Sequence, residues 1–282
     1  MLMNYGGLTD DFTNYSSSKI VVVPVPYDGT STWGKGADKG PDAILEASEN
    51  MELYDIETDS EVYLNGIHTL KALDDCKFPE EVADKLKPLM MSLFKDGKFP
   101  VVLGGEHSVS IGAFQAAAEC FDNISILQLD AHSDMRDEYN GSAYNHACVM
   151  ARGRELCSCT QVGIRSSCIE EKHNIDDYRI FYAHEIKYGG NDWIEEVISQ
   201  LNENVYLTID LDVLDPAFMP ATGTPEPDGL CYRDIINLAK ALVERKNLIG
   251  FDVVELAPFA ESNASNFLAA KLIYQILSLK FL

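Results

Sequence analysis

Eight short apolar runs, rich in Val and Ile, recur along the 282-residue chain with helical segments between them. That alternation dictates an α/β architecture. Strands are expected near 19–25 (KIVVVPV), 61–67, 99–103 (FPVVL), 124–129 (ISILQL), 159–164, 179–183, 204–209 and 248–254. Helices are expected at 41–49, 79–95, 108–120, 143–155, 192–202, 232–245 and 264–280. Pro79 with Glu80 and Glu81 behind it makes a good helix start. Strands that are apolar at nearly every position belong to a parallel sheet covered on both faces. One alternating series, with no linker, repeat or low-complexity tract, predicts a single domain spanning 1–282.

Open parallel sheets build their sites beyond the carboxyl ends of the strands. Here GGEHS follows the run at 99–103, DAHSD the run at 124–129, DLDVLDP the run at 204–209 and ELAP the run at 248–254. Four polar clusters therefore share one sheet edge. Asp130, His132 and Asp134 stand at alternate positions, which point the same way in an extended chain. Asp210 and Asp212 repeat the device, and His107 stands just before a helix, after a Gly104–Gly105 pair that permits a tight turn. Acids at a strand end can also simply cap the next helix. Crowded aspartates without compensation, however, raise one another's pKa values at considerable cost, and bound cations remove that difficulty. Carboxylates with a few imidazoles and no thiolate suit Mn²⁺. Six such ligands suit two ions, about 3.5–4 Å apart, that hold water between them and generate hydroxide near neutral pH.

Charge narrows the partners. With 45 acidic against 22 basic side chains the formal charge is −23, so nucleic acid and anionic membrane surfaces find no basic patch, whereas a cationic substrate is attracted. Salt adaptation is a second reading of the same excess. The first 15 residues carry neither a basic start nor an apolar run, and no apolar stretch reaches transmembrane length. Seven cysteines, odd in number and irregular in spacing, suit a reducing compartment, so a cytoplasmic protein is expected. Cys157, Cys159 and Cys168 match no zinc spacing and read as small buried apolar residues.

These motifs in combination resemble the ureohydrolase family of arginases and agmatinases. GGEHS, DAHSD, YNHAC, DLDVLDPAFMPATGTPEPDGL, FDVVELAP and the early PVPYDGTSTWGKGADKGPDAI carry the likeness, from about residue 20 to 260. The resemblance implies a three-layer αβα fold around an eight-stranded, mostly parallel sheet, and two Mn²⁺ per subunit. It implies His107, Asp130, Asp134 and Asp210 as ligands of one ion, and His132, Asp130, Asp210 and Asp212 as ligands of the other, Asp130 and Asp210 bridging. Asp134 would then belong to the catalytic centre as well. His146 of YNHAC corresponds to the family's proton-shuttling histidine, and Glu255 to the carboxylate that holds the guanidinium. A guanidinium is a permanent planar cation that a carboxylate can clamp bidentately. Its amine leaves poorly without a proton, which a histidine near neutral pKa can supply. The family also implies a homo-oligomer, a trimer or hexamer.

The loop MRDEYNGSAYNHACV resembles agmatinases more than arginases. Arg136 stands where arginases carry an Asn that grips the substrate carboxylate, and Ser166 and Ser167 stand where arginases carry an acid for the α-amino group. The GTPEP stretch, with Glu226, is agmatinase-like, and Glu226 and Arg136 are expected to join Glu255 in holding the substrate. Asp228 departs from the pattern by replacing a second glycine; as an extra acid near the pocket mouth it would suit a longer polyamine tail. The expected reaction is hydrolysis of agmatine to putrescine and urea, in polyamine synthesis. Aminopropylagmatine, guanidinobutyrate and arginine are the alternative substrates, and a non-catalytic acidic metal-binding protein is the alternative of another class. A zinc deacetylase of arginase-like fold would need a His-His pair, which the chain lacks. A two-metal phosphoesterase would meet an acidic pocket that repels phosphate. Of the histidines outside the motifs, His68, His173 and His184, the last follows a strand and is expected to line the pocket.

Overall fold

In the computed structural model of the protein, which describes residues 3–188 and 192–282, eight parallel strands form one sheet. They are β1 (Ile20–Val25), β2 (Ile67–Thr69), β3 (Phe99–Gly104), β4 (Ile124–Leu129), β5 (Ser158–Ile164), β6 (Ile180–Tyr182), β7 (Asn204–Asp210) and β8 (Asn247–Val254). The order across the sheet is β2-β1-β3-β8-β7-β4-β5-β6. Every pairing among the described strands is parallel. Helices α1 (Asp10–Thr13), α2 (Gly40–Ser48), α3 (Pro79–Lys95), α4 (Ser110–Cys120), α5 (Val149–Leu156), α6 (Ala183–Tyr188), α7 (Trp193–Gln200), α8 (Tyr232–Arg245) and α9 (Ala264–Lys280) connect and cover them.

The strand residues sort into two cores, one on each face. Ile20 and Val22 of β1 pack in the cluster that includes Ile44 of α2, Leu238 of α8 and Ile273 of α9. Val21 and Val23, facing the other way, join Leu86 of α3, Phe114 of α4 and Met150 of α5. The result is the three-layer αβα arrangement, and it explains why β1, β3 and β4 are buried at every residue. No helix among the described residues is long and apolar enough to cross a membrane.

Most expected boundaries hold within a residue or two, and the exceptions have local causes. The run at 61–67 is not a strand: Val62–Asn65 form a 3-10 turn, and the sheet takes only Ile67–Thr69 as an edge. The helix expected at 143–155 starts at Val149, because Asn145 caps a 3-10 turn at His146–Cys148 by accepting from the Ala147 N–H at 3.1 Å. The helix expected at 108–120 is likewise preceded by a turn, His107–Val109, and starts at Ser110. The short helices α1 and α6 were not expected.

Candidate metal centre

The cage is built by the four central strands. His107 follows β3, Asp130, His132 and Asp134 follow β4, Asp210 ends β7 with Asp212 just beyond, and Glu255 follows β8. Asp130 and Asp210 are almost wholly buried, as is His107. His107 Nδ1 lies 3.1 Å from Asp130 Oδ2, 3.1 Å from Asp134 Oδ2 and 3.5 Å from Asp210 Oδ2. His132 Nδ1 lies 2.9 Å from Asp212 Oδ2 and 3.7 Å from Asp130 Oδ1. Two groups could each hold a metal ion: His107, Asp130 and Asp210, and Asp130, His132 and Asp212. Asp130 belongs to both, and Asp210 to the first.

Whether these residues fit cations can be judged from hydrogens. The Thr208 hydroxyl donates to Asp252 Oδ1 at 2.5 Å, so its oxygen accepts from His107 Nε2–H at 2.8 Å. That leaves Nδ1 as the bare nitrogen of a neutral ring, buried without a hydrogen-bond partner and aimed at carboxylates. A lone pair facing oxygens is repulsive unless a cation lies between them. Charge leads to the same point. Four aspartates face two imidazoles, so even two imidazolium ions leave an excess of two negative charges. Burial and the Asp212 and Asp130 charges push Asp210 well above the usual carboxylate range. Burial and the Asp130 charge push Asp134 up to about 7. The residues fit a pair of divalent ions.

Surrounding groups hold the ligands in place. Asp130 Oδ2 accepts from Gln128 Nε2 at 2.6 Å, and Gln128 Oε1 accepts from Gln161 Nε2 at 2.6 Å, an amide chain buried in the sheet. Asp210 Oδ1 accepts from the Asp212 N–H at 2.8 Å, so this residue both caps a turn and faces the cage. Asp134 and Glu255 are at φ 50° and 66°. Such left-handed backbone is costly for residues other than glycine and concentrates at functional sites. Hence Asp134 reaches the cage by a backbone reversal, and the extended-chain alternation expected for 130–134 does not continue to it.

A cleft of about 260 Å³ opens over the cage, lined among others by His132, Asp134, Arg136, His146, Ser166 and Glu255. Glu255 Oε1 accepts from the His107 N–H at 2.8 Å, while Oε2 has no hydrogen-bond partner among the described residues. Burial and the Glu106 charge push its carboxyl well above the usual range. Arg136 stacks its guanidinium over the Tyr139 ring at 4.5 Å. Glu226 is less central than expected: it is not among the cleft-lining residues, and Oε1 is 3.8 Å from His132 Nε2. Asp228 also lies outside the cleft lining; it pairs with Lys187 at 2.5 Å, and its φ of 67° accounts for the glycine expected at this place. His184 is exposed, stacked on Tyr182, and does not line the cleft. His68 bonds the Thr13 carbonyl and His173 pairs with Asp137. All seven cysteines are free.

The supporting residues Thr208, Asp252, Gln128 and Arg165 were missed by sequence reading. Asp252 and Gln128 had a signal, each being a strongly polar residue near the end of a largely apolar strand.

The model of the arginase family matches residues 18–278. The chain belongs to the arginase family. It is an enzyme of the ureohydrolase class. Among its relatives, an N(1)-aminopropylagmatine ureohydrolase of a Synechocystis strain is 40% identical, covering 95% of this chain and 91% of its own. An agmatinase of Pyrococcus horikoshii is 32% identical over 92% of this chain and 91% of its own. Among solved structures, the agmatine ureohydrolase of Thermoplasma volcanium superposes with a TM-score of 0.88 at 33% identity, covering 99% of this chain and 94% of that one.

Proposed function

We propose that this ureohydrolase releases urea from an alkylguanidine without a carboxylate, N(1)-aminopropylagmatine or agmatine, with two Mn²⁺ held by His107, Asp130, His132, Asp134, Asp210 and Asp212. The observation that carries the reading is Glu255, a carboxylate on the cleft wall with one oxygen anchored and the other open beside the cage. Bound there, the ions would supply the activated water that attacks the guanidinium carbon. Glu255 Oε2 accepts N–H donors of the planar cation and fixes its carbon over the cage. His146, on the opposite strand-to-helix loop, takes up a proton released by the attacking water and gives it to the departing amine. Asp134 completes the cage from the reversed backbone.

Two features favour the longer substrate over agmatine alone. Relatives named for aminopropylagmatine match at 40% and 36% identity. The cleft also shares Ser167 and Cys168 with a neighbouring hollow of about 430 Å³, lined by both Asp177 and Lys172, which extends the space beyond the cage. Arginine is disfavoured, since Ser166 and Ser167 in the cleft offer no charge to an α-amino group. Arg136 closes the outer wall and Glu226 extends the acid surface next to His132. The single sheet supports one domain over 1–282, and exposed Trp33, Phe218 and Phe259 support association with further copies; a trimer or hexamer in the cytoplasm completes the proposal.

The test is urea release by the Mn²⁺-loaded protein from aminopropylagmatine, agmatine, guanidinobutyrate and arginine in parallel. The expected order of kcat/KM places the first two above the others. A preference for arginine or guanidinobutyrate overturns the substrate reading, and no urea from any of them overturns the activity.

A further inference from the structure

Glu106, between Gly105 and the cage residue His107, has no part in the chemistry described so far, yet its carboxyl is wholly buried. No lysine or arginine pairs with it among the described residues. It is met instead by small donors. Ser108 N–H donates to Oε2 at 2.8 Å and the Ser108 hydroxyl to Oε1 at 2.8 Å. Thr30 donates to Oε1 through its hydroxyl at 2.8 Å and its N–H at 3.3 Å. The same Thr30 Oγ1 is 3.0 Å from the His146 backbone N and 3.0 Å from His146 Nδ1. A buried carboxylate is thus joined to the cleft histidine through one hydroxyl, across residues far apart in sequence.

Proton counting fixes the direction of each bond. A threonine hydroxyl has one hydrogen and two lone pairs. The His146 backbone N–H can only donate, and it takes one lone pair. Each Glu106 oxygen already meets a backbone N–H that can only donate, Ser108 on Oε2 and Thr30 on Oε1, so both oxygens act as acceptors and the hydroxyl hydrogen goes to Oε1. The second lone pair remains for His146 Nδ1, which must therefore carry a proton. Nε2 is then the bare nitrogen of the neutral ring. It has no hydrogen-bond partner among the described residues, on a side chain that lines the cleft. Tyr139 packs edge-on against the ring, 6.3 Å between centroids, and limits its rotation from the other side.

We propose that Glu106 and Thr30 are positioning residues that lock His146 as its Nδ1–H tautomer, so that Nε2 is the nitrogen that exchanges protons with the reacting groups. The inference rests on the reading of His146 as the proton carrier. Glu106 and Thr30 touch no substrate in this scheme. They act through the ring, by keeping its orientation and by allowing only one of its nitrogens to face the cleft as a base. Without the hydroxyl, either nitrogen could hold the proton, and molecules with the wrong tautomer or a turned ring would present no lone pair.

The experiment compares Thr30→Val, Thr30→Ser and His146→Gln in the full-length, metal-loaded protein, after equal melting temperatures and metal content have been verified for the threonine pair. Thr30→Val is expected to lower kcat by about 10–100-fold, the size typical of losing an orienting partner, with KM within about twofold. Thr30→Ser keeps the hydroxyl and is expected to return kcat to within about threefold of wild type. Nitrogen-detected imidazole NMR on the Mg²⁺-loaded protein, with the His146 signal assigned by its loss in His146→Gln, is expected to show Nδ1–H in the wild type and in Thr30→Ser. It should show Nε2–H or a mixture in Thr30→Val. An unchanged tautomer with unchanged kcat in Thr30→Val overturns the relay, as does an equal loss in Thr30→Val and Thr30→Ser. If His146→Gln itself turns over like wild type, the reading of His146 fails instead, which the NMR arm separates from a failure of the relay.

Discussion

The Arg165 guanidinium donates to the backbone carbonyl of Asp212 at 2.7 Å, fixing from behind the turn that carries a cage carboxylate. The same side chain donates to the carbonyls of Glu226 at 2.8 Å and Pro227 at 2.9 Å. It therefore ties the start of the β7–α8 connection to its later stretch 226–227, with backbone carbonyls and not acids as its partners. Replacing Arg165 by Lys keeps the charge and loses the fork. Metal affinity is expected to fall by about 10–100-fold, as for other supports of a ligand. Calorimetric titration of the metal-free protein with Mn²⁺ measures it; an unchanged Kd would show the loop to be held by other contacts.

Removing the metals should destabilise the fold. A ligand at about a thousand times its Kd adds about 4 kcal/mol per site. Chelation is expected to lower the melting temperature and Mn²⁺ to restore it. In Asp130→Asn, whose oxygens belong to both groups, the rise on adding metal should be much smaller. The same rise in the variant as in the wild type would mean that Asp130 is not shared.

Glu255→Gln keeps an oxygen for the His107 N–H but loses the charge. A hydrogen bond to a charged group is worth about 1.5–3 kcal/mol, so kcat/KM on the preferred guanidine is expected to fall by about 10–150-fold, with metal content unchanged. Steady-state kinetics on metal-replete protein checks it, and wild-type kcat/KM would remove the clamp.

Burial, above all, holds His146 down to about 4 from its ordinary 6.5. The unfolded chain therefore takes up this proton first as pH falls. The contribution of neutral His146 to stability is full above pH 6.5 and is lost between 6.5 and 4. His146→Gln should flatten the pH dependence of urea-unfolding free energy over that window. Parallel curves for variant and wild type would place the histidine in water.

Gly105→Ala tests a close approach. A Cβ here would meet the Tyr27 carbonyl oxygen at 2.0 Å, and that contact is backbone. Tyr27 cannot yield as a flexible side chain would, so a loss of about 1–3 kcal/mol or more is expected, together with loss of metal binding. Thermal unfolding gives the first and metal titration the second; wild-type values in both would mean the loop accommodates the methyl.

Much of this was legible because the sheet repeats one device. A buried apolar strand that ends in acid is visible in ISILQLDAHSD and NVYLTIDLD without any coordinates, and five of the six cage residues follow from it, His107 coming from GGEHS. What was not legible depends on backbone reversal or on partners far away in sequence. Nothing local in DAHSD announces that Asp134 is left-handed, and VVEL gives no hint of the same at Glu255. Gly104 and Gly105 were read as turn glycines, whereas both are small because other chain segments pass against them. The run at 61–67 has strand composition but forms a turn, because an edge position with few neighbours leaves local preferences to decide. His184 follows a strand on the far side of the sheet from the cage, and position after a strand says nothing about which strands are central.

The strand order sets a timetable for the nascent chain. β1, β2 and β3 form one flank, β4 to β7 the other, and the sheet is joined only when β8 enters between β3 and β7. His107 comes from the first flank and the five other cage residues from the second. Synthesis must therefore run to residue 254 before the two flanks can close on each other and complete the group that contains His107, whereas Asp130, His132 and Asp212 all lie on the second flank. Until then each flank ends in an open, apolar strand edge, the state most exposed to mispairing. The last strand made is thus the one that turns two incomplete surfaces into a site.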